Sequence, residues 1–178
     1  TWKNRDTAVL FADGAGAVVL QAEEGDHGVL TTHLGSDGAN YEILHLPRGG
    51  SASHYTKENF DDDAYTIYMK GPELFKRAVT KFVETTKEAL DAVGMTIDDV
   101  DVFIPHQANK RIIEAAGERM GIAPEKVVIN IERTGNTTAA TIPVALHEAL
   151  GAGRIKKGDV VLFASFGAGL TWASAVMR

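Results

Sequence analysis

Apolar positions recur at three- and four-residue steps through the middle of the chain. Over five turns this pattern falls at Leu74, Phe75, Ala78, Val79, Phe82, Ala89, Leu90 and Val93. Such a period predicts a long amphipathic helix with one buried face. Gly94 follows the last of these positions, and we expect it to end the helix as a C-terminal cap.

Two further helices are predicted from patterns of the same kind. The stretch NKRIIEAAGERMG is expected to bury one face, made of Ile112, Ile113, Ala116 and Met120. The stretch NTTAATIPVALHEALGAG begins with residues that commonly cap helices and continues with an apolar helical face. Both helices should therefore pack against a core.

Short apolar and β-branched runs between these helices predict strands. They are GVLTTHLGSDG, DVDVFIP, KVVINI and DVVLFASFGAGLTWASAV, the last being two strands joined through residues 166–169. Near the N-terminus, a strand at Val9–Phe11, a tight turn and a second strand at Ala17–Leu20 are also predicted.

The polar stretch from Ala39 to Ala64 predicts a long surface loop, in which Asp61, Asp62 and Asp63 form a solvated run. Strands that alternate with helices indicate an α/β fold. We expect a mixed sheet with helices packed on it and antiparallel neighbours near the two ends of the chain. With 178 residues, the chain is long enough to form one domain with its own core.

The composition excludes several kinds of partner and site for this domain. The formal net charge of −6 argues against nucleic acid as the main partner. There is no cysteine, so the chain itself has no disulfide, no thiolate metal site and no cysteine nucleophile. No apolar run is long enough to cross a bilayer and no signal peptide opens the chain, so we expect a cytoplasmic protein that binds no membrane. The first residue is Thr1 and not Met, which leads us to expect a processed or truncated piece.

Three polar features stand at predicted strand ends, where α/β sheets commonly place chemistry. They are His106, Asn136 and the loop FGAG at residues 166–169. Each also has a purely structural interpretation: a hydrogen-bonded histidine, a turn with a helix cap, and a hairpin loop. The functional interpretation of the loop is that small residues let the backbone present N–H groups to a ligand oxygen.

Neither the remaining histidines nor the first glycine-rich stretch indicates a ligand site. The other histidines lack a metal-binding spacing such as H-E-x-x-H, so we expect no metal. The stretch DGAGA lacks the G-x-G-x-x-G pattern and precedes a predicted strand rather than a helix. It is therefore not interpreted as a nucleotide-binding loop.

Six stretches together resemble one known family. They are DGAGAVVL, THLGSDG, VFIPHQANKRII, ERTGNTTAATIPVALHEAL, GRIKKGD and SFGAGLTWASAVMR. The combination resembles the C-terminal half of β-ketoacyl-acyl carrier protein synthase III, a member of the thiolase-like superfamily and the enzyme that starts type II fatty acid synthesis. The resemblance runs from Arg5 to Arg178 and is loose only between Ala39 and Ala64. PHQAN and GNTTAA, about thirty residues apart and followed by F-G-x-G, make it specific.

The resemblance implies a thiolase-like fold built from two similar halves, with residues 1–178 as the C-terminal domain. It implies an acyltransferase that condenses an acyl-coenzyme A such as acetyl-coenzyme A with malonyl-acyl carrier protein (malonyl-ACP) and releases carbon dioxide. The family carries its nucleophilic cysteine on the N-terminal half, whereas this chain has no cysteine. We therefore expect the chain alone to be inactive.

On matching positions, the resemblance makes His106 and Asn136 the pair that stabilises the malonyl-derived enolate. The backbone N–H of Ala168 would be the oxyanion-hole donor, at a position where the family more often has glycine. Neutral imidazole and carboxamide N–H groups suit this task because they donate without adding a competing negative charge. The pantetheine tunnel would be lined by Gly71, Phe75, Ala108, Asn109, Phe166 and Gly167. Lys76 and Arg111 would lie at its mouth and bind ACP.

The implied ligands are coenzyme A and phosphopantetheine thioesters, as substrates, with no permanently bound cofactor. The implied partners are ACP, the N-terminal half and a second copy in a homodimer. Because acyl carrier proteins are acidic, a basic patch would serve them, made of Lys70, Lys76, Arg77, Lys81, Lys110, Arg111 and Arg119. The alternative is that these side chains simply lie on solvated helix faces.

Two other functions stay open on the sequence. One is a non-catalytic module that holds pantetheine or carrier protein. The other is a relative of the type III polyketide or hydroxymethylglutaryl synthases, although PHQAN followed by GNTTAA fits ketosynthase III better. An isolated half should also expose a large apolar face, through which it would pair with itself or with the missing half.

Overall fold

The computed structural model describes residues 2–51, 53–58 and 66–178. Its helices are α1 (Arg5–Ala8), α2 (Gly71–Ala92), α3 (Lys110–Met120), α4 (Ile131–Thr134) and α5 (Thr141–Gly151). Its strands are β1 (Val29–Ser36), β2 (Leu44–His45), β3 (Tyr68–Met69), β4 (Val102–Pro105), β5 (Val161–Gly167) and β6 (Thr171–Met177). Short 3-10 turns occupy Gly38–Ile43, Ile97–Asp99, Pro124–Lys126 and Thr138–Ala140.

Four of the strands form one mixed sheet in the order β1-β6-β5-β4. β4 runs parallel to β5, whereas β6 is antiparallel to both β5 and β1. A parallel pair requires a long crossover connection, which α3, α4 and α5 supply between β4 and β5. The predicted α/β fold with antiparallel neighbours near both ends of the chain is confirmed.

Both faces of this sheet are covered. On one face α2 and α3 pack against the sheet in a core that includes Phe82 and Phe103. On the other face Ala145 of α5 packs in a second core with Ile104 and Phe163. Successive residues of a strand point to opposite faces, so Phe103 enters the first core and Ile104 the second. This two-sided burial explains why β4 is an uninterrupted apolar run.

The two amphipathic helices form where the apolar period predicts them. α2 begins with Pro72 in its first turn and ends just before Gly94. Asn109 caps α3, because its side-chain Oδ1 accepts the backbone N–H of Arg111 at 2.9 Å. The predicted apolar face of α3 is buried at Ile112, Ile113 and Ala116 and half-buried at Met120.

The hairpin predicted near the N-terminus is wrong. Within Val9–Phe11 only Phe11 pairs, in a single parallel bridge to Asn136, and Ala17–Leu20 forms no strand. A strand needs a neighbour to satisfy its backbone groups, and no described strand lies beside Ala17–Leu20. Val19 is accordingly 96% exposed.

The glycines of DGAGA allow close packing rather than a turn. A Cβ on Gly14 would come within 2.7 Å of Thr137 Cγ2. A Cβ on Gly16 would come within 2.6 Å of Pro143 Cγ. Both distances lie well inside van der Waals contact, so only glycine allows this segment to lie against the start of α5.

The strand predicted at KVVINI forms only in part. Val127 makes an isolated parallel bridge with Phe103, and Val128 N–H donates to the Phe103 carbonyl at 2.9 Å. From Ile131 the chain turns into α4 instead of continuing along the sheet. The side chain of Gln107 accepts the backbone N–H groups that a strand would have used at this point, as described below.

The polar stretch from Ala39 to Ala64 is not simply a surface loop. It contains a 3-10 turn whose last residue, Ile43, is buried in the main core. β2 pairs with β3 in a separate two-stranded ribbon. The run Asp61–Asp63 lies outside the described residues. None of the described helices is long and apolar enough to cross a membrane.

Candidate functional site

A cavity of about 1090 Å³ opens beyond the ends of β4 and β5. Because these strands are parallel, their carboxyl ends meet at one edge of the sheet, which is where α/β sheets bind ligands. Its wall also includes the β2–β3 ribbon, the first half of α2, the start of α3 and part of the N-terminal segment between Arg5 and Phe11. His106, Asn136 and Ala168 all line it. The structure thus brings together the three features predicted at strand ends.

His106 stands directly beyond β4. Its backbone N–H donates to the Ala164 carbonyl at 2.7 Å, which continues the pairing of β4 with β5 by one residue. Its ring Nδ1 lies 2.6 Å from the hydroxyl Oγ1 of Thr141. Burial lowers the pKa of His106 from its ordinary 6.5 to about 4, because desolvation penalises the charged imidazolium. The ring is therefore neutral at pH 7.

Gln107 fixes the chain immediately after His106. Its side chain is fully buried, at 0% exposure. Nε2 donates to the carbonyl oxygens of Pro105 at 2.8 Å and Val128 at 3.0 Å. Oε1 accepts the backbone N–H of Asn130 at 2.9 Å and of Ile131 at 3.3 Å. One of these four hydrogen bonds closes the His106 turn on itself, and the other three tie it to the segment that leads to Asn136.

Asn136 is held by its backbone and by its side-chain oxygen. Its N–H donates to the Leu10 carbonyl at 2.8 Å, and its own carbonyl accepts from Ala12 N–H at 3.0 Å. Oδ1 accepts the backbone N–H of Thr138 at 2.9 Å. A backbone N–H can only donate, so it fixes the oxygen on that side and directs the Nδ2 amide away from it. Nδ2 has no hydrogen-bond partner among the described residues and can donate to a ligand.

The capping and ligand-binding interpretations of Asn136 are therefore compatible, since Oδ1 makes the cap and Nδ2 is left for a ligand. The turn that Asn136 begins is also strained. Thr138 has a φ of +54°, in the left-handed region that β-branched residues rarely adopt. Such a conformation costs about 1–3 kcal/mol and persists where surrounding contacts enforce it, often at functional sites.

The FGAG loop brings a backbone donor to the same cavity. Gly167 ends β5, and Ala168 is the next residue along the cavity wall. The Ala168 carbonyl accepts the Thr171 hydroxyl at 3.0 Å, which anchors the loop. The Ala168 N–H donates to none of the described residues, so it is available to an oxygen in the cavity.

The predicted tunnel residues line the cavity as well. They are Gly71, Phe75, Ala108, Asn109, Phe166 and Gly167. Arg111 also reaches the wall, with its guanidinium carbon 5.7 Å from the centre of the Phe75 ring. This stacking places the permanent cation of Arg111 beside a largely apolar part of the wall, and Arg5 lines the same cavity.

Known proteins were compared with this chain in sequence and structure. The family model for the 3-oxoacyl-[acyl-carrier-protein (ACP)] synthase III C terminal matches residues 90–178, which is half of the chain. A second model, for 3-oxoacyl-[ACP] synthase III, matches residues 1–38. The chain belongs to the 3-oxoacyl-ACP synthase III family.

Relatives within this family match nearly the whole chain. The β-ketoacyl-[ACP] synthase III of Caldanaerobacter subterraneus is 48% identical over 177 residues, covering 99% of this chain and 54% of the relative. That of Clostridioides difficile is 47% identical over 178 residues, again covering 99% and 54%. The solved 3-oxoacyl-[ACP] synthase III of Aquifex aeolicus superposes with a TM-score of 0.89 at 43% identity, over 100% of this chain and 53% of that one. The chain thus spans about half the length of the curated relatives it matches, and its thiolase-like fold is confirmed.

Lys76 is the one predicted ligand-binding residue of this synthase III chain that lies elsewhere. It lines a separate depression of about 380 Å³ on the other side of α2, together with Arg77 and Lys81. Lys76 follows Phe75 by one position, a rotation of about 100° around the helix, so it lies on a different face from Phe75 and Ala78 and does not line the cavity. Lys76 thus does not line the cavity beside Arg111, and its predicted place at the mouth stays a prediction.

The predicted basic patch is also partly neutralised. Arg77 lies 3.7 Å from Asp37 and 3.4 Å from Glu73. Lys81 and Lys110 likewise pair with the carboxylates of Glu84 and Glu132, at 2.7 and 2.6 Å. The other four residues of the patch form no ion pair with the described residues, so their charges are free to attract an acidic partner: Lys70, Lys76, Arg111 and Arg119.

Sequence reasoning missed several residues that build this synthase III site. Leu44, His45 and Met69 form a wall of the cavity from a ribbon whose first strand, β2, lies within the stretch predicted as a surface loop. Their signal was weak because β2 and β3 are two residues long. Thr141 and Gln107 were missed because a threonine in a first helical turn and a glutamine in a loop are both commonplace. Among the described residues, no cluster of His, Asp or Glu could hold a metal ion.

Proposed function

We propose that this chain supplies the enolate-stabilising half of a 3-oxoacyl-ACP synthase III. The supporting observation is the convergence on one cavity of a neutral His106 ring, the Asn136 amide and the free Ala168 N–H. All three are hydrogen-bond donors without negative charge. Such preorganised donors stabilise an oxygen on which negative charge develops.

The proposed reaction begins when a cysteine thiolate on the other half of the enzyme attacks the thioester carbonyl of acyl-coenzyme A, and the bond to coenzyme A breaks so that coenzyme A leaves as its thiolate. Malonyl-ACP then enters, and its carbon–carbon bond to the carboxylate breaks with release of carbon dioxide. The electron pair of that bond becomes an enolate, whose charge rests on the thioester oxygen. His106 and Asn136 donate to this oxygen, so the charge is met by two hydrogen bonds in a site shielded from water.

The enolate carbon next attacks the carbonyl carbon of the acyl-enzyme. The carbonyl oxygen becomes an oxyanion, which the backbone N–H of Ala168 stabilises. The carbon–sulfur bond then breaks, which returns the thiolate and leaves a 3-oxoacyl chain on ACP. No proton is taken up or released by His106 in this sequence, as suits a ring whose pKa of about 4 keeps it neutral.

The chain needs a second body to perform this reaction, because it has no cysteine. We propose that the second body is the N-terminal half of the family's fold, with residues 1–178 as the C-terminal domain. Two exposed apolar regions support this. Val18, Val19 and Leu20 are all exposed. α5 is apolar over most of its circumference, interrupted by His147 and Glu148, and Leu150 at its end is 53% exposed.

The proposed partners follow from the site. Acyl-coenzyme A and malonyl-ACP would enter past Arg111, whose unpaired charge suits the phosphate of pantetheine and an acidic carrier protein. We further propose a homodimer of complete subunits in the cytoplasm, without a resident cofactor. The missing cysteine also favours a second candidate, a module that binds pantetheine or ACP without condensing it.

Reconstitution tests these candidates. The 178-residue chain would be co-expressed with the cysteine-bearing half of the Caldanaerobacter relative, to which it is similar enough for a matched interface. We expect condensation of acetyl-coenzyme A with malonyl-ACP, and a loss of ~10²–10³-fold in turnover for His106→Ala and for Asn136→Ala. His27→Ala, an exposed histidine outside the cavity, is the control. A complex that forms and binds ACP but never condenses would favour the binding module.

A further inference from the structure

Thr141 is placed to decide which nitrogen of the His106 ring carries the proton. Its hydroxyl oxygen lies 2.6 Å from His106 Nδ1 and 3.0 Å from the Thr138 carbonyl oxygen. A threonine hydroxyl has one proton, so it can donate to only one of these two atoms. A neutral imidazole likewise has one N–H, which lies on either Nδ1 or Nε2.

These constraints leave two arrangements. In the first, the hydroxyl donates to the Thr138 carbonyl and accepts the proton of His106 Nδ1, so Nε2 is a bare lone pair. In the second, the hydroxyl donates to Nδ1, and the ring proton lies on Nε2. Only the second arrangement presents a donor on the side of the ring away from Thr141.

The distances favour the second arrangement. Hydrogen bonds from hydroxyl donors are shorter than those from N–H donors, commonly about 2.7–2.8 Å against about 2.9–3.0 Å. The 2.6 Å contact between Thr141 and His106 belongs with the hydroxyl donors. The 3.0 Å contact with the Thr138 carbonyl is longer than a typical hydroxyl bond.

In the second arrangement, both the Thr138 carbonyl and His106 Nδ1 have a hydrogen-bond partner. The Thr138 carbonyl already accepts the backbone N–H of Thr141, so it has a partner when the hydroxyl turns away. The contact is also dry, because Thr141 is only 1% exposed. Among the described residues, the Thr141 hydroxyl is the only side-chain group bonded to Nδ1. A bare Nδ1 without it would lose its partner at a cost of about 1–3 kcal/mol.

We propose that Thr141 is a positioning residue that holds His106 as the tautomer with its proton on Nε2. The catalytic consequence rests on the proposed function: Nε2–H then donates to the enolate oxygen beside Asn136 Nδ2. The opposite tautomer would turn a lone pair toward that oxygen and repel it. The single turn from Asn136 to Thr141 thus provides one donor and orients the other.

Nitrogen NMR of the 178-residue chain, with ¹⁵N-labelled histidine rings, tests the tautomer without any substrate. We expect the wild-type His106 spectrum to show a protonated Nε2 and an unprotonated Nδ1 that accepts a hydrogen bond. Thr141→Ser keeps the hydroxyl and should keep that spectrum. Thr141→Val has nearly the same shape without the donor, so Nδ1 should lose its hydrogen bond and the Nδ1-protonated form should appear.

Thr141→Ala serves as a second variant if the valine disturbs packing, and the backbone amide spectrum confirms that each variant is folded. A wild-type ring protonated on Nδ1 would overturn the proposal. So would a His106 ring spectrum that is unchanged in both Thr141→Val and Thr141→Ala.

A second experiment measures the kinetics of Thr141 variants in the reconstituted enzyme. We expect Thr141→Val to lower kcat for malonyl-ACP decarboxylation roughly tenfold with little change in KM, and Thr141→Ser to restore it. A Thr141→Val enzyme with the wild-type kcat would contradict the positioning role. If the wild-type complex shows no activity, the proposed function fails, whereas the NMR result still decides the tautomer.

Discussion

His106 and Asn136 face the same cavity, yet the chain holds them in different ways. His106 extends a strand that is buried along its whole length, and Gln107 beside it makes four buried hydrogen bonds. Asn136 begins a strained turn, and two backbone hydrogen bonds tie it to residues 10–12 of the N-terminal segment. That segment continues into the exposed residues Val18, Val19 and Leu20.

The comparison indicates that the two donors differ in how well this chain alone preorganises them. His106 depends on the central sheet, which is the most stable part of such a domain. Asn136 depends on a segment that forms no regular strand and in which Val9, Val18, Val19 and Leu20 are exposed. In our account, association with the second half secures the Asn136 side of the site more than the His106 side.

The largest expected effect comes from a substitution of Gln107, whose side chain holds the turn that carries His106. Gln107→Met keeps the volume of the side chain but leaves two carbonyls and two N–H groups without their partner. Buried polar groups without partners cost about 1–3 kcal/mol each, so we expect a loss of at least ~3 kcal/mol in the free energy of unfolding. Urea denaturation measures it. Gln21→Met, at an exposed position, is the matched control and should change stability by less than about 0.5 kcal/mol. Equal effects at both positions would contradict the role of Gln107.

The pH dependence of stability tests the burial of His106. Its pKa is about 4 in the folded chain and 6.5 when exposed, so the unfolded chain takes up the proton first as pH falls. Stability should therefore decline between pH 6.5 and 4, by about 3 kcal/mol in all for this group, and level off below. His106→Gln should remove this part of the decline, whereas His27→Gln should keep it. A His106 ring that titrates near 6.5 by NMR would show that it is not desolvated.

A substitution of Gly135 should disrupt the contacts that hold Asn136 in place. This residue has a φ of +68°, and a Cβ there would come within 2.6 Å of the Ala12 side chain. Gly135→Ala should combine backbone strain with the displacement of residues 10–12, a loss of roughly 2–4 kcal/mol. Gly153→Ala is the control for a positive φ alone, because Gly153 has a φ of +67° with open space around it, whereas Gly135 also has a ψ of −175°. Its expected loss is only about 1 kcal/mol. Without a difference between the two variants, the contact with Ala12 would have no role in stability.

The smallest effect concerns the strain at Thr138. Asn adopts the left-handed conformation more readily than a β-branched residue does, so Thr138→Asn should raise the free energy of unfolding by up to about 1 kcal/mol. Thermal unfolding measures it. A destabilised Thr138→Asn chain would indicate that contacts of the threonine side chain, rather than backbone strain, determine this position.

The difference between the well-packed sheet that carries His106 and the exposed segment that holds Asn136 also explains which elements the sequence could predict. The helices α2, α3 and α5 and the strands β1, β4, β5 and β6 follow from periodicity, because their partners all lie within the described chain. His106, Asn136 and Ala168 could be placed at strand ends for the same reason. The resemblance to a family then indicated which of these residues meet in one site.

The failures share a physical cause, which is that a local pattern does not specify its partner. Ala17–Leu20 has the composition of a strand, but no described strand lies beside it to accept its hydrogen bonds. KVVINI begins beside Phe103 and then leaves the sheet, because Gln107 takes over two of its N–H groups. Lys76 does not line the cavity for a simpler reason: it differs from Phe75 by one position along α2, and that single step of about 100° turns it to another face.

The central claim is that His106 and Asn136 stabilise a negatively charged enolate oxygen. The most direct measurement is the rate of malonyl-ACP decarboxylation by the reconstituted enzyme, compared for wild type, Asn136→Ala and Asn136→Asp. Asp keeps the oxygen that accepts Thr138 N–H but replaces the donor by a negative charge, so the account predicts that Asn136→Asp is slower even than Asn136→Ala. An aspartate variant as fast as the alanine variant, or faster, would contradict it.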